Sequence, residues 1–271
     1  MTSTLYSTGL GELNAETARQ FDDARQSFSE AGTQARAAAA RIRAQGRLLL
    51  LGMGGSHWAN RMVVAQYRQL GLDTNAEVLS EYQRSPHAQD HVRVLTSQSG
   101  QSGEILRYLD EDPNGPDAIG LTLNASSPLG QITGSLIGAG GVEVPFAATR
   151  SLIVTLALHA RILQELGMGA EPFLASLCRS SVVPSSTAAR ILSRSSMAVF
   201  CGRASLQGAA EAAALTFMEL ARIPVLALEA GQFRHGPIEC IKGGIAVVFL
   251  RGPGDQADGI DALAKDCVSA G

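Results

Sequence analysis

Leu48-Leu49-Leu50-Leu51 is an unbroken apolar run, closed by Gly52-Met53-Gly54-Gly55-Ser56. Such a run predicts a parallel strand covered on both faces. Parallel neighbours are joined by crossovers, usually helices, and residues 58–70 carry a helical pattern just after the glycines. The same junction recurs further on. Val92, Val94 and Leu95 interleave with His91 and Arg93 and lead into Thr96-Ser97-Gln98-Ser99-Gly100-Gln101-Ser102-Gly103-Glu104. An amphipathic segment follows, Ile105-Leu106-Arg107-Tyr108-Leu109, and reads as a helix. Strand, small polar loop and helix in this order restrict the chain to an α/β fold with parallel sheets.

The remaining segments fit this frame. Residues 1–14 are mostly polar with glycines and read as a partly ordered arm. Residues 15–43 are rich in Ala, Arg, Gln and Glu without proline, which predicts one long helix or two joined near Gly32. Further strands are predicted at 77–79, 92–96, 118–123 and 142–144, and a strongly apolar helix at 151–166. Residues 167–193 read as a helix followed by a connection. A second alternation then begins: strand 197–200, helix 207–221, strand 225–228, a helix opened by Gly236-Pro237, strand 245–250 and helix 258–268. This divides the chain into an N-terminal helical arm (1–45), a first subdomain (46–180) and a second (195–271). Five strands are expected in the first subdomain and three in the second. A short parallel sheet leaves edges open, so the second subdomain reads as incomplete and the natural chain is expected to continue past Gly271.

Composition excludes several functions. The chain has 271 residues, 45% of them hydrophobic and 17% charged, enough for one large or two modest domains. A net charge of -3 and a pI near 6.0, with no stripe of basic and aromatic residues, argue against a nucleic-acid partner. Cys178, Cys201, Cys240 and Cys267 lack metal-ligand spacing, so no metal is expected and a reducing cytoplasm fits. The opening Met-Thr-Ser-Thr-Leu-Tyr is unlike a secretory signal. No apolar run approaches the ~18 residues of a membrane span.

The loop at 97–102 carries the chemistry. A strand end, a glycine-serine loop and a helix start aim free N–H groups, hydroxyls and the positive helix end at one point. That suits a phosphate, although a serine-rich turn that merely caps a helix has the same composition. No Gly-Lys-Ser/Thr is present, which argues against a nucleoside triphosphate. Gly52-x-Gly54-Gly55 is a partial dinucleotide fingerprint, with Glu77 or Glu81 as the acid, but that reading leaves the 97–102 loop without a task.

Six segments in order resemble the sugar isomerase (SIS) family. They are Gly52-Met53-Gly54-Gly55-Ser56; Leu79-Ser80-Glu81-Tyr82; Ser97-Gln98-Ser99-Gly100-Gln101-Ser102; Asn124 with Ser126-Ser127-Pro128-Leu129; Ala147-Ala148-Thr149-Arg150; and Gly202-Arg203 with Glu219 and Ala230-Gly231-Gln232-Phe233-Arg234-His235-Gly236-Pro237. The step from Glu219 to His235 has the length of the family pattern. The resemblance implies two doubly wound, flavodoxin-like, three-layer αβα subdomains. It implies a sugar phosphate bound by Ser56, Ser97, Gln98, Ser99 and Ser102, with further substrate contacts from Gly55, Ala148 and Thr149. Glu219 would move a proton between neighbouring sugar carbons, and His235 would open the ring. No cofactor is implied. The active unit would be a homodimer, His235 entering the partner's pocket. The residues agree: a carboxylate in the apolar run 212–220 can serve as a base of raised pKa, and histidine titrates near neutrality. A solvated helix glutamate and a helix-capping histidine are the plainer alternatives.

The chain departs from the isomerase domains of the glucosamine-6-phosphate synthase type in several ways. Thr216 stands where they carry a lysine, Ala148 replaces a serine, and the C-terminal lysine tail is missing. No Met-Cys-Gly start is present, so no glutaminase nucleophile is expected. The expected function is a cytoplasmic phosphosugar isomerase or amino-sugar phosphate isomerase/deaminase acting on a hexose or hexosamine 6-phosphate. The alternative is a sugar-phosphate sensor without turnover.

Overall fold

The computed structural model describes residues 2–111, 118–132, 134–145, 147–178, 185–252 and 255–270, with backbone alone at 2–8 and 255–258. They form two compact units divided after Ser180. In chain order the first unit contains α1 (Thr2–Glu30), α2 (Gly32–Gln45), β1 (Arg47–Gly52), α3 (Gly54–Gln69), β2 (Asp73–Val78), α4 (Leu79–Arg84) and β3 (Val92–Thr96). It continues with α5 (Gly103–Asp110), β4 (Ala118–Thr122), β5 (Leu136–Ile137), α6 (Arg150–Leu166) and α7 (Glu171–Leu177). The sheet runs β2-β1-β3-β4-β5 and every pairing is parallel.

The unbroken leucine run is explained by this sheet. Leu48 and Leu50 face Ile42, Tyr67, Leu158 and Ile162, from α2, α3 and α6. Leu49 and Leu51 face Leu79, Ile105 and Tyr108 on the other side. All four leucines are fully buried, because each face of the strand carries a helical layer.

Several expectations are corrected. Helix α1 begins at Thr2, so residues 2–14 are helical rather than a loose arm. Of the two readings for 15–43, the pair of helices joined near Gly32 is the one that forms, with the break at Ala31 and Gly32 starting α2. Both lie within the first unit, where Ala24 and Phe28 of α1 pack against Ala157 of α6. Leu79 begins α4 instead of ending a strand. The fifth strand is Leu136–Ile137, not 142–144. Val142 and Val144 are exposed, while Glu143 between them is buried. That segment serves the start of α6, as described below.

The second unit contains α8 (Ser186–Leu192), β6 (Met197–Gly202), α9 (Ser205–Ala221), β7 (Val225–Glu229) and α10 (Ala230–Arg234). A 3-10 turn (Pro237–Cys240), β8 (Ile245–Phe249) and α11 (Asp255–Ala270) follow. The helix expected after Gly236-Pro237 is thus this single short turn, with α10 in front of it. The sheet order is β7-β6-β8, all parallel. It repeats the order of β2-β1-β3. Ala198 and Phe200 pack against Ala210 and Ala214 of α9. Val199 and Cys201 face Phe233, Ile260 and Leu263. Among the described residues, no helix is long and apolar enough to cross a membrane.

Candidate functional site

Strands β1 and β3 are neighbours, but the sheet is built outward from them in opposite directions, β1 toward β2 and β3 toward β4. In open α/β sheets the carboxyl ends of two such strands are where a crevice opens between diverging loops and ligands bind. The glycine-rich segment ending in Ser56 leaves β1, and the 97–102 loop leaves β3. The topology therefore starts the two segments read as phosphate-binding at adjacent strand ends, Gly52 beside Thr96.

The 97–102 loop is held from beneath by the end of β4. Ser97 N–H donates to the Leu121 carbonyl at 3.0 Å, and the Gln98 carbonyl accepts from Leu123 N–H at 3.1 Å and the Thr122 hydroxyl at 3.2 Å. Gly100 turns with φ +67°, and a Cβ there would lie 2.0 Å from Ser127 Oγ and 2.8 Å from Thr122 Oγ1. Only glycine meets both demands. Ser127 is itself fixed: its hydroxyl donates to the Asn124 carbonyl at 2.7 Å and accepts from Gly130 N–H at 3.0 Å. The segment from Asn124 to Leu129 thus braces the loop, a role that sequence reasoning did not assign.

Several hydroxyls remain available for a ligand. Ser97 Oγ accepts from Gly100 N–H at 3.2 Å and Ser99 Oγ from Gln101 N–H at 3.4 Å, which leaves both O–H protons to donate. Ser102 stands at the N-cap of α5 in an extended conformation, yet its side chain makes no capping bond. Its hydroxyl is not spent on the helix, nor are the first-turn N–H groups satisfied by it. Ser56 lies in the first turn of α3, whose N-cap, Met53, supplies no side-chain acceptor.

Two contacts join these loops to the start of α6. A Cβ on Gly55 would come within 3.2 Å of the Ala148 Cβ, and Gln98 Nε2 donates to the Glu143 carbonyl at 2.9 Å. Glu143 then caps the helix. Its Oε1 accepts from Thr149 N–H (2.9 Å), Thr149 Oγ1 (2.6 Å) and Arg150 N–H (2.9 Å). Its Oε2 accepts from Ser151 N–H at 3.0 Å and from the Ser151 hydroxyl. The buried carboxylate already neutralises this helix end. Because the Thr149 proton goes to Glu143, Thr149 can offer a ligand only lone pairs, which suits a sugar hydroxyl better than a phosphate. Glu143 was missed because it was read as part of a strand; an acid just upstream of a helix start was its one signal.

Glu219 and His235 lie in the second unit. Glu219 is on the last turns of α9, partly buried, and its Oε2 is buried without a hydrogen-bond partner. Burial pushes its carboxyl above the ordinary carboxylate value. His235 ends α10 and is exposed, and its ring makes no hydrogen bond among the described residues. No hydrogen bond joins it to Glu219. Thr216, one turn before Glu219, donates its hydroxyl to the Ala212 carbonyl of its own helix at 3.1 Å. The glycine-arginine turn is tightly built: a Cβ on Gly202 would lie 2.1 Å from the Leu206 carbonyl oxygen. Arg203 pairs with Glu229 at 3.4 Å, and Glu229 caps α10 by accepting from Gln232 N–H at 2.8 Å. That links the end of β6 to the segment carrying His235. Among the described residues, no group of three or more His, Cys, Asp or Glu side chains is arranged to hold a metal.

No protein-family model matches the chain. It is 24% identical over 220 residues to glutamine–fructose-6-phosphate aminotransferase (isomerizing) of Sulfolobus acidocaldarius, an alignment covering 78% of this chain and 37% of that protein. The chain therefore spans little more than a third of that curated relative. Among solved structures it resembles tagatose-6-phosphate ketose/aldose isomerase from Escherichia coli, with a TM-score of 0.80, 17% identity and coverage of 95% of this chain and 78% of that one. It also resembles glucosamine-6-phosphate deaminase from Thermotoga maritima, with a TM-score of 0.70, 20% identity and coverage of 93% and 82%. The chain has the α/β fold of the sugar isomerase (SIS) proteins and resembles the isomerase domain of glutamine–fructose-6-phosphate aminotransferase.

Proposed function

We propose that the protein binds a hexose or hexosamine 6-phosphate and interconverts its aldose and ketose forms, with or without loss of an amino group. The observation that carries this reading is the 97–102 loop at the switch point between β1 and β3, with the Ser102 hydroxyl unspent at the start of α5. Ser97, Gln98, Ser99, Ser102 and Ser56 bind the phosphate, and Gly55, Ala148 and Thr149 shape the wall toward the sugar. Glu219 carries the proton between the two carbons. A carboxyl of raised pKa is suited to taking a proton and returning it. His235 exchanges a proton with the ring oxygen during opening, and its exposure leaves it accessible to a substrate or to a partner subunit. The active unit is a cytoplasmic homodimer in which His235 completes the partner's site. The chemistry needs no metal or organic cofactor.

A second reading, sugar-phosphate sensing without turnover, is favoured by Thr216, whose hydroxyl is committed to its own helix where relatives of the synthase type carry a lysine. Incubation with a panel of hexose and hexosamine 6-phosphates, followed by NMR, separates the two. The enzyme reading expects isomerised or deaminated product that disappears in Glu219→Gln. Binding without product supports the sensor, and no binding by any member of the panel overturns both.

A further inference from the structure

A buried polar chain lies beneath the crevice. Asn60 of α3 is fully buried, as are Tyr67 and His159, and Thr96 is 1% exposed. Asn60 Oδ1 accepts from the Thr96 hydroxyl at 2.9 Å and lies 3.1 Å from His159 Nε2. His159 Nδ1 lies 3.1 Å from the Tyr67 hydroxyl. An amide oxygen can only accept, so His159 carries its proton on Nε2 and its Nδ1 accepts from Tyr67. Burial keeps this imidazole neutral, its pKa pushed down to about 3. Every donor in the chain thus points toward Asn60 Oδ1. The other end of the amide is left over: Asn60 Nδ2 is buried with no hydrogen-bond partner. Native proteins rarely keep such a group without a use for it.

Its position suggests the use. Gly52 and Thr96 are the last residues of β1 and β3 and stand opposite each other in register. Asn60 holds Thr96 through Oδ1, and its Nδ2 lies 3.2 Å from where a Cβ on Gly52 would be. The unpartnered donor therefore sits below the point where the two candidate phosphate loops diverge.

We propose that Asn60 is a further anion-binding residue of this crevice, its Nδ2 donating through one buried water to the oxyanion held by the 97–102 loop. Tyr67, His159 and Thr96 fix the amide so that its donor end, not its acceptor end, faces the anion. This rests on the phosphate reading of the loop. The proposed water has the polar partners it needs, Nδ2 on one side and the oxyanion on the other.

Calorimetry with inorganic phosphate at pH 7.5 tests it, using the full chain. The Ser97→Ala/Ser99→Ala double variant tests the site itself. Asn60→Asp keeps the acceptor that Thr96 and His159 require but replaces the donor with an acceptor. His159→Phe removes one of the two donors to Oδ1 and leaves Nδ2 in place, because the Thr96 hydroxyl still holds the amide. The inference expects weaker phosphate binding in the serine variant, at least tenfold weaker binding in Asn60→Asp, and a change under threefold in His159→Phe. Wild-type affinity in Asn60→Asp, or equal losses in Asn60→Asp and His159→Phe, overturns the donor role while the serine variant still upholds the site. No phosphate binding by the wild type, or no effect of the serine variant, removes the site and the inference with it. Should Asn60→Asp fail to fold, the wild-type side-chain amide resonances of Asn60 decide. They shift on phosphate titration if the inference holds and stay fixed if it does not.

Discussion

Gly100 holds φ +67° while the α-hydrogen in the Cβ direction faces Ser127 and Thr122. In Gly100→Ala the left-handed conformation alone costs about 1–3 kcal/mol, and the methyl group must also displace Ser127. Urea unfolding should show at least that loss, and phosphate calorimetry should show the loop's affinity falling with it. A variant as stable as the wild type would mean that the loop readily adopts another path. Glu219 supports a prediction of opposite sign. A carboxyl whose pKa is raised by burial contributes stability while protonated, below the ordinary carboxylate range, and loses it as pH rises through the raised value. Ionising this carboxyl is less favourable in the folded protein than in the unfolded chain. Glu219→Gln should therefore melt at the same temperature or higher, while turnover of whichever sugar phosphate is accepted falls about 10²–10⁴-fold, the range for a lost general base. A clear drop in melting temperature would reveal a stabilising contact of the carboxylate. Glycine in a serine loop and glutamate in an apolar run are visible in the chain itself. That Glu219 Oε2 has no partner is visible only when the surrounding atoms are in place.

At the scale of elements, helix α6 is the instructive case. Its apolar pattern predicts its length closely, yet its start depends on Glu143, which lies outside it. The Glu143 carboxylate accepts from Thr149, Arg150 and Ser151, by main chain or side chain. Glu143→Gln keeps the shape but turns one acceptor into a donor facing other donors. It should cost about 1.5–3 kcal/mol, the scale for hydrogen bonds to a charged group, measured by chemical denaturation. Little or no loss would mean that another acceptor, such as water, caps α6 equally well. The same residue explains the misplaced fifth strand. Val142-Glu143-Val144 alternates apolar and polar as a strand does, but it places the valines outward and the acid inward. Leu136–Ile137, the true edge strand, is too short for any periodicity to reveal. The longer strands were legible because burial on both faces demands continuous apolar sequence.

At the scale of the whole molecule, each unit is organised by a central strand with parallel neighbours on both sides, in the orders β2-β1-β3 and β7-β6-β8. The first unit is also tied to its N-terminal helix through Arg150. This fully buried guanidinium pairs with Glu16, lies 3.2 Å from Asp23 and donates to the carbonyls of Ala139 (3.1 Å) and Gly141 (2.7 Å). Arg150→Met would leave both acids to the half-exposed Arg19 alone, and removing one partner of a buried pair costs up to about 3–5 kcal/mol. For Glu16, burial opposes ionisation, but the bonds to Arg150 and Arg19 outweigh it and hold the carboxyl below its ordinary pKa. Its contribution is present above the ordinary carboxylate range and is lost as pH falls through the lowered value. The wild type should accordingly lose stability on acidification more steeply than Arg150→Met, as read by thermal melts from pH 7 to pH 3; parallel curves would count against the network.

The proposed shared site belongs to this scale too. Glu219→Gln and His235→Ala, each inactive alone, should recover part of the activity once dissociated and reassembled together. Mixed dimers seen by native mass spectrometry without recovery would place both residues in one subunit's site or remove His235 from the chemistry.

The amino-acid sequence by itself determined the α/β class, most strands and the two glycine-serine loops. These follow from local rules: apolar runs where both faces are buried, and small residues where the backbone must turn sharply. Tertiary structure alone decided which loops meet. Strand order is a long-range choice, and placing β1 beside β3 puts Ser56 and Ser102 at one crevice, Ser127 under Gly100 and Asn60 beneath Gly52 and Thr96. No periodicity encodes those contacts, because they join residues far apart in the chain through packing and hydrogen bonds that exist only in the folded protein.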